Sequence, residues 1–279
     1  NETTDTYYDL VISGTGTWDI DDALVVNDDL NISAGSLDIN SNNLTVTSSL
    51  TNDSVLRMQG AETVNIGTFD TDSGTIEYDG TGSYSALNAT ANETVDTYYD
   101  LVISGTGTFN VDDALNVSND LTITSGILDV EDKDLDLVGT LVNDSVLRLE
   151  GGQSVTIGTM DVDSGTVIYD GTGTTIEDDM TGYYDLQLSG TGTWLTVDGQ
   201  KLDIAKDLLI SASNELDIQD ENIDLTGTLS NEGTLRLEGG QSITIGTMDI
   251  DSGTVVYDGI GTTIEDDMSG YYDLQLSGS

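Results

Sequence analysis

The chain has 279 residues and contains no cysteine, no histidine and no proline. Without cysteine there is no disulfide and no thiolate nucleophile; without histidine there is no imidazole base. Together the two absences remove the usual ligands of zinc and copper sites. The missing proline suits unbroken strand ladders, because each proline would delete a backbone donor. Bases are scarce too. Arg57, Arg148, Arg236, Lys133, Lys201 and Lys206 stand against 52 acids, a formal net charge of −46. Such a surface repels phosphate, so nucleic acid and anionic lipid are excluded as partners. No run of about 18 apolar residues occurs, so no membrane-spanning helix is expected. No signal peptide is visible, and a mature secreted chain would have lost one.

What is present is repetition. Tyr-Tyr-Asp-Leu recurs at 7–10, 98–101, 183–186 and 271–274, spaced by 91, 85 and 88 residues. The units are therefore 7–97, 98–182 and 183–270, with the start of a fourth at 271–279. A self-similar chain is read as a repeat architecture first. Within copy two the pattern restarts at 98, 120, 142 and 161, in pieces of 19 to 22 residues. Each piece holds short runs of alternating apolar and polar residues separated by Gly, Asp or Asn. Leu101/Ile103, Leu121/Ile123, Leu147/Leu149 and Val167/Tyr169 fall on the same inward positions of successive pieces. Val102, Thr122, Arg148 and Ile168 then point outward, since strand side chains alternate faces.

A period of about 20 residues built from short strands with turn residues between them predicts an all-β, parallel β-solenoid (β-helix) of about 13 coils. The whole of 1–279 is expected to form one continuous solenoid. The alternative is a series of tandem β-sandwiches. One tyrosine of Tyr98/Tyr99 is expected inside and one outside, with Trp18, Phe109 and Trp194 at equivalent positions.

Four features are candidates for chemistry. Asp-x-Asp-Ser-Gly occurs at Asp70/Asp72, Asp161/Asp163 and Asp249/Asp251, where two carboxylates before a Gly turn can offer oxygen ligands to calcium; the bland alternative is an Asx turn. A second acidic feature comprises Asp21/Asp22, Asp112/Asp113, Asp132/Asp134, Glu177/Asp178/Asp179 and Glu265/Asp266/Asp267, which stack if their coils adjoin. One arginine per copy, Arg57, Arg148 and Arg236, is expected to pair outward with acids on adjacent coils. The glycosylation pattern Asn-x-Ser/Thr occurs at Asn1, Asn31, Asn43, Asn52, Asn88, Asn92, Asn116 and Asn143, mostly at expected corners or outward positions.

Units of the type YDLxISGTGTW…LNISxGxLDI…DSGTVxYDGTGT resemble those of repeat-rich secreted surface proteins of bacteria and archaea, adhesin-like and cell-envelope proteins with parallel β-helical arrays. The resemblance covers the chain in repeat style and carries no catalytic motif. It implies an extracellular, structural or adhesive role. The expectation is a non-enzymatic structural protein of the cell surface or of an extracellular filament or sheath, with no resident cofactor. Its partner would be further copies of itself, end to end or lateral. The alternative is a calcium-dependent adhesin stalk or carbohydrate-binding surface. Residues 1–10 match 92–101 at nine of ten positions, so the chain opens and closes inside a repeat, as expected of a segment of a longer array or of subunits that stack end to end.

Overall fold

Alternation in the sequence becomes alternation in space. The structure, a computed structural model, describes residues 4–87, 95–176, 180, 182–260, 263–264, 268 and 270–278. Among the described residues it is all β, without helix, and its parallel sheets stack as a β-solenoid of about 13 turns. The β-sandwich alternative is excluded, because sandwiches are built from antiparallel pairs and the described strand pairs here run parallel. The chain divides into two compact units, Asn1–Ser145 with Ile157–Thr159, and Val146–Thr156 with Met160–Ser279. Among the described residues, no helix is long and apolar enough to cross a membrane.

At the start of the first unit Thr4–Tyr7, Leu10–Ile12, Thr17–Asp19 and Ala23–Val26 each pair with the third strand on, so one turn of the coil has three sides. Thr4–Tyr7 lies beside Ala23–Val26, and that beside the first half of Leu44–Asn52. Leu10–Ile12 lies beside Leu30–Ile32, and that beside the second half of the same long strand. Thr17–Asp19, Ser36–Asp38 and Val55–Met58 form the third column. Leu10 sits beside Leu30 and Leu30 beside Leu50, a step of 20 residues that matches the sequence period.

The next copy does not start where the first did. Its Tyr-Tyr-Asp-Leu strand, Asp100–Ile103, stacks on Thr75–Tyr78, which follows Val55–Met58. It therefore occupies the third column instead of returning to that of Leu10–Ile12. The second unit repeats the shift. Asp185–Leu188 runs in a column with Val146–Leu149, Thr166–Tyr169 and Leu208–Ile210. Asp273–Leu276 belongs instead to the column of Gly192–Leu195, Asn214–Asp217, Thr234–Leu237 and Thr254–Tyr257.

The eight residues expected inside, Leu101 to Tyr169, are all buried. Their register needs one correction: Leu121 is followed by Leu141, not by Leu147. In copy one the counterpart of Leu147, Leu56, stacks on Leu37. The long strands Leu44–Asn52 and Leu135–Asn143 each span two sides of the coil, so the run that looks next in sequence is one strand further round.

The core is made of Leu, Ile and Val columns, each side chain contributing about 1.5–3 kcal/mol on burial. Aromatic residues fill selected rungs. Tyr98 is buried and Tyr99 is not. The buried hydroxyls of Tyr78 and Tyr98 meet at 3.2 Å, and that of Tyr98 also donates to the Leu87 carbonyl. Tyr169 and Tyr183 repeat the contact. Phe109 and Trp194 are fully buried, whereas Trp18, paired with Leu37 on one side only, is half exposed.

Candidate functional site

The Asp-x-Asp-Ser-Gly segments lie at turns between strands, and their first aspartate serves the backbone. Asp70 Oδ1 accepts the Asp72 amide at 3.1 Å, and Asp161 and Asp249 do the same for Asp163 and Asp251. These are Asx turns. The other oxygen of Asp70 accepts the Asn52 amide from the preceding coil. Ser73 donates to Asp53 at 3.0 Å. Asp72 is exposed, and the hydrogen bond and charge of Asp70 push its carboxyl above the ordinary range.

Asn52 explains the glycine that ends the motif. Its side chain is buried and donates to the Thr75 carbonyl at 3.1 Å, while its Oδ1 accepts the Ser54 amide. Asn231 makes the same bond to the Thr254 carbonyl. Asn143 is equally buried, with its Oδ1 on the Ser145 amide. The structure therefore corrects two of the glycosylation candidates: Asn52 and Asn143 point into the coil and have no room for a sugar. The signal was present in sequence, since Leu50-x-Asn52, Leu141-x-Asn143 and Leu229-x-Asn231 put each asparagine on the same side of the strand as a core leucine. Asn31 and Asn116 face outward and are half buried; Asn43 is exposed. Asn1, Asn88, Asn92, Glu177, Asp178, Asp179, Glu265, Asp266 and Asp267 lie outside the described residues.

Each arginine is held by carboxylates of neighbouring turns, as expected. Arg57 donates twice to Glu77, the shorter contact 2.8 Å, with Asp38 and Asp79 within 4 Å. Arg236 holds Glu215 through two nitrogens and Asp258 through a third, at 2.7–3.0 Å. Arg148 pairs with Asp170 at 3.3 Å. These guanidinium groups act as clamps between rungs. The Glu77, Glu215 and Asp258 carboxylates push Arg57 and Arg236 further up from the ordinary arginine value.

Burial raises the carboxyls of Asp38, Asp79 and Asp217 around these clamps. A carboxyl whose folded value exceeds its unfolded one binds a proton more readily when folded. Its stabilising share is therefore complete below the unfolded value and is lost as pH rises through the folded one. Asp29, lowered by Ser49, and Asp132, lowered by Lys133, act in the opposite sense at exposed positions. With the formal charge of −46 relaxing at the same time, the melting temperature is expected to rise as pH is lowered from 7 into the upper carboxylate range. A steady fall between pH 7 and 5 in scanning calorimetry would contradict this balance.

The doublets Asp21/Asp22, Asp112/Asp113 and Asp132/Asp134 close into no group of three with other described residues; Lys133 draws Asp132 to itself. Among the described residues, three carboxylates converge at two other places, Asp9/Asp28/Asp29 and Asp198/Asp220/Glu221. The second follows Val197 in copy three, where Glu221 accepts the Gly199 amide.

The first belongs to a corner that every copy builds. The aspartate of Tyr-Tyr-Asp-Leu faces a pair of residues one turn on: Asp28/Asp29, Asn119/Asp120 or Lys206/Asp207. The second member of each pair anchors a bend, Asp120 and Asp207 accepting the Thr140 and Thr228 amides at 2.8 Å and Asp29 that of Ser49. Its own amide donates to the aspartate of the phrase in all three. The first member differs. Asn119 donates to Asp100 at 2.7 Å. Lys206 donates to Asp185 at 3.1 Å and lies 5.2 Å from the centre of the Tyr184 ring. Asp28 has no N–H to give from its side chain, and its carboxylate pushes the neighbouring Tyr8 phenol up. Sequence reading passed over this corner because its members are 20 residues apart.

Comparison with known proteins found no matching family model, no matching curated protein and no matching solved structure.

Proposed function

We propose that this chain is a non-enzymatic structural protein of the cell surface or of an extracellular filament, assembling with copies of itself. The observation that supports the reading most is how its outward polar groups are used. Arg57, Arg148 and Arg236 clamp carboxylates of adjacent turns, and Ser104 on Glu77, Asn110 on Glu131 and Asn119 on Asp100 tie further rungs together. The arginine clamp recurs in each copy, which serves a stiff wall better than a single reaction centre. Charged and hydrogen-bonded rungs also add to nearest-neighbour stacking, from which solenoids take their stability.

Electron microscopy of the protein in its native setting tests this. Ordered filaments or lattices are expected, and dispersed monomers under the same conditions would overturn the proposal.

A further inference from the structure

We propose that the corner formed by Tyr8, Asp9, Asp28 and Asp29 is a recognition site for a primary alkylammonium, presented as the lysine side chain of a basic partner polypeptide. The reason is a comparison between copies. In copy three the equivalent corner, Tyr184, Asp185, Lys206 and Asp207, is filled by an ammonium of the chain itself: Lys206 Nζ is 3.1 Å from Asp185, 3.7 Å from Asp207 and 5.2 Å from the ring centre of Tyr184. In copy two an amide does the same work, Asn119 donating to Asp100. Copy one keeps the frame, with the Asp29 amide on Asp9 and the Ser49 amide and hydroxyl on Asp29. It has replaced the donor by a third acceptor, Asp28.

The geometry suits that class of ligand. Oxygens of Asp9, Asp28 and Asp29 lie within 4.8 Å of one another. A triangle of that size has a point about 2.8 Å from each corner, the length of a charge-assisted N–H···O bond. The three N–H groups of one ammonium can then meet three carboxylates. A second copy of this chain is a poor donor. Its lysines already lie against their own carboxylates, Lys133 on Asp132, Lys201 on Asp203 and Asp224, and Lys206 on Asp185. With six bases against 52 acids, charge complementarity points to a different, lysine-bearing chain.

Titration of the whole chain, followed by amide NMR shifts at low ionic strength, tests the site. The probes are n-butylammonium, tetramethylammonium, calcium chloride, and Gly-Lys-Gly beside Gly-Gly-Gly with capped termini. Butylammonium and the lysine peptide are expected to shift the amides of Asp9, Asp28 and Asp29, and tetramethylammonium, which has no N–H, is not. Asp28→Lys, which rebuilds the arrangement of copy three, should abolish the shifts, and Asp28→Asn should weaken binding about three- to tenfold. Shifts that survive in Asp28→Lys would overturn the site. Calcium that gives the same shifts and displaces butylammonium at equal concentration would make it a divalent-cation site instead. Binding of butylammonium without binding of the lysine peptide would overturn the protein partner and leave a small amine as the ligand. None of these outcomes depends on whether the chain forms filaments.

Discussion

Truncating Trp194 to alanine is expected to destabilise the chain by about 3–5 kcal/mol. Its side chain is wholly buried, its ring centre is 5.5 Å from that of Tyr169, and its Nε1 donates to Asn214 Oδ1 at 2.9 Å. Alanine removes the packing and also strands a buried amide oxygen, which alone costs about 1–3 kcal/mol. Trp194→Phe separates the two effects, because it keeps most of the ring volume and loses only the donor. It should cost about 1–3 kcal/mol. Urea titration and hydrogen exchange across Gly192–Leu195 and its neighbour Asn214–Asp217 read both changes. Because each rung rests on the next, protection should fall in both strands together. A Trp194→Ala protein within about 0.5 kcal/mol of the parent, where surface changes usually fall, would show that this rung is not packed as described.

Gly74→Ala should cost about 3 kcal/mol, large for one added methyl. Gly74 has φ of +72°, and a Cβ there would stand 2.0 Å from the Asn52 carbonyl oxygen and 2.8 Å from its Nδ2. The left-handed backbone accounts for about 1–2 kcal/mol. The rest comes from displacing Asn52, whose bond to the Thr75 carbonyl is buried and worth about 1–3 kcal/mol when broken. Gly253 stands in the same relation to Asn231 and should behave alike. Gly16→Ala is the control: nothing lies within 4 Å of its Cβ, so its effect should stay within about 0.5 kcal/mol. Equal thermal shifts for Gly74→Ala and Gly16→Ala would refute the close approach of the two coils.

This pair of residues also shows how far sequence alone reaches. Inward and outward positions were legible wherever an apolar residue alternated with a polar one, as in Leu121–Thr122–Ile123. Asn52, Asn143 and Asn231 broke the rule that polar residues face water, because an inward amide here satisfies carbonyl and amide groups at a turn. The Asp-x-Asp-Ser-Gly phrase was open to two meanings. Only the coil above it, which brings the Asn52 carbonyl against Gly74, assigns the glycine to packing. Register was legible to within one strand: a 20-residue step fits several pairings, and the bend in Leu135–Asn143 that selects Leu141 leaves no mark in periodicity. The Asp9/Asp28/Asp29 corner joins residues a full turn apart, and its interest comes from contrast with Lys206, which needs the fold to align them.

Within the first unit the displacement of copy two by one side of the coil gives the repeat the character of a screw. Within the first unit the Tyr-Tyr-Asp phrase of copy one and that of copy two look out in different directions, from adjacent columns. A flat partner lying along one side of the first unit meets the phrase once, so affinity cannot be multiplied along a straight line there. A partner that gains from linked contacts must wrap, with a linker long enough to pass a corner between one phrase and the next. Nearly identical units thus make a surface whose valency depends on the shape of what approaches it.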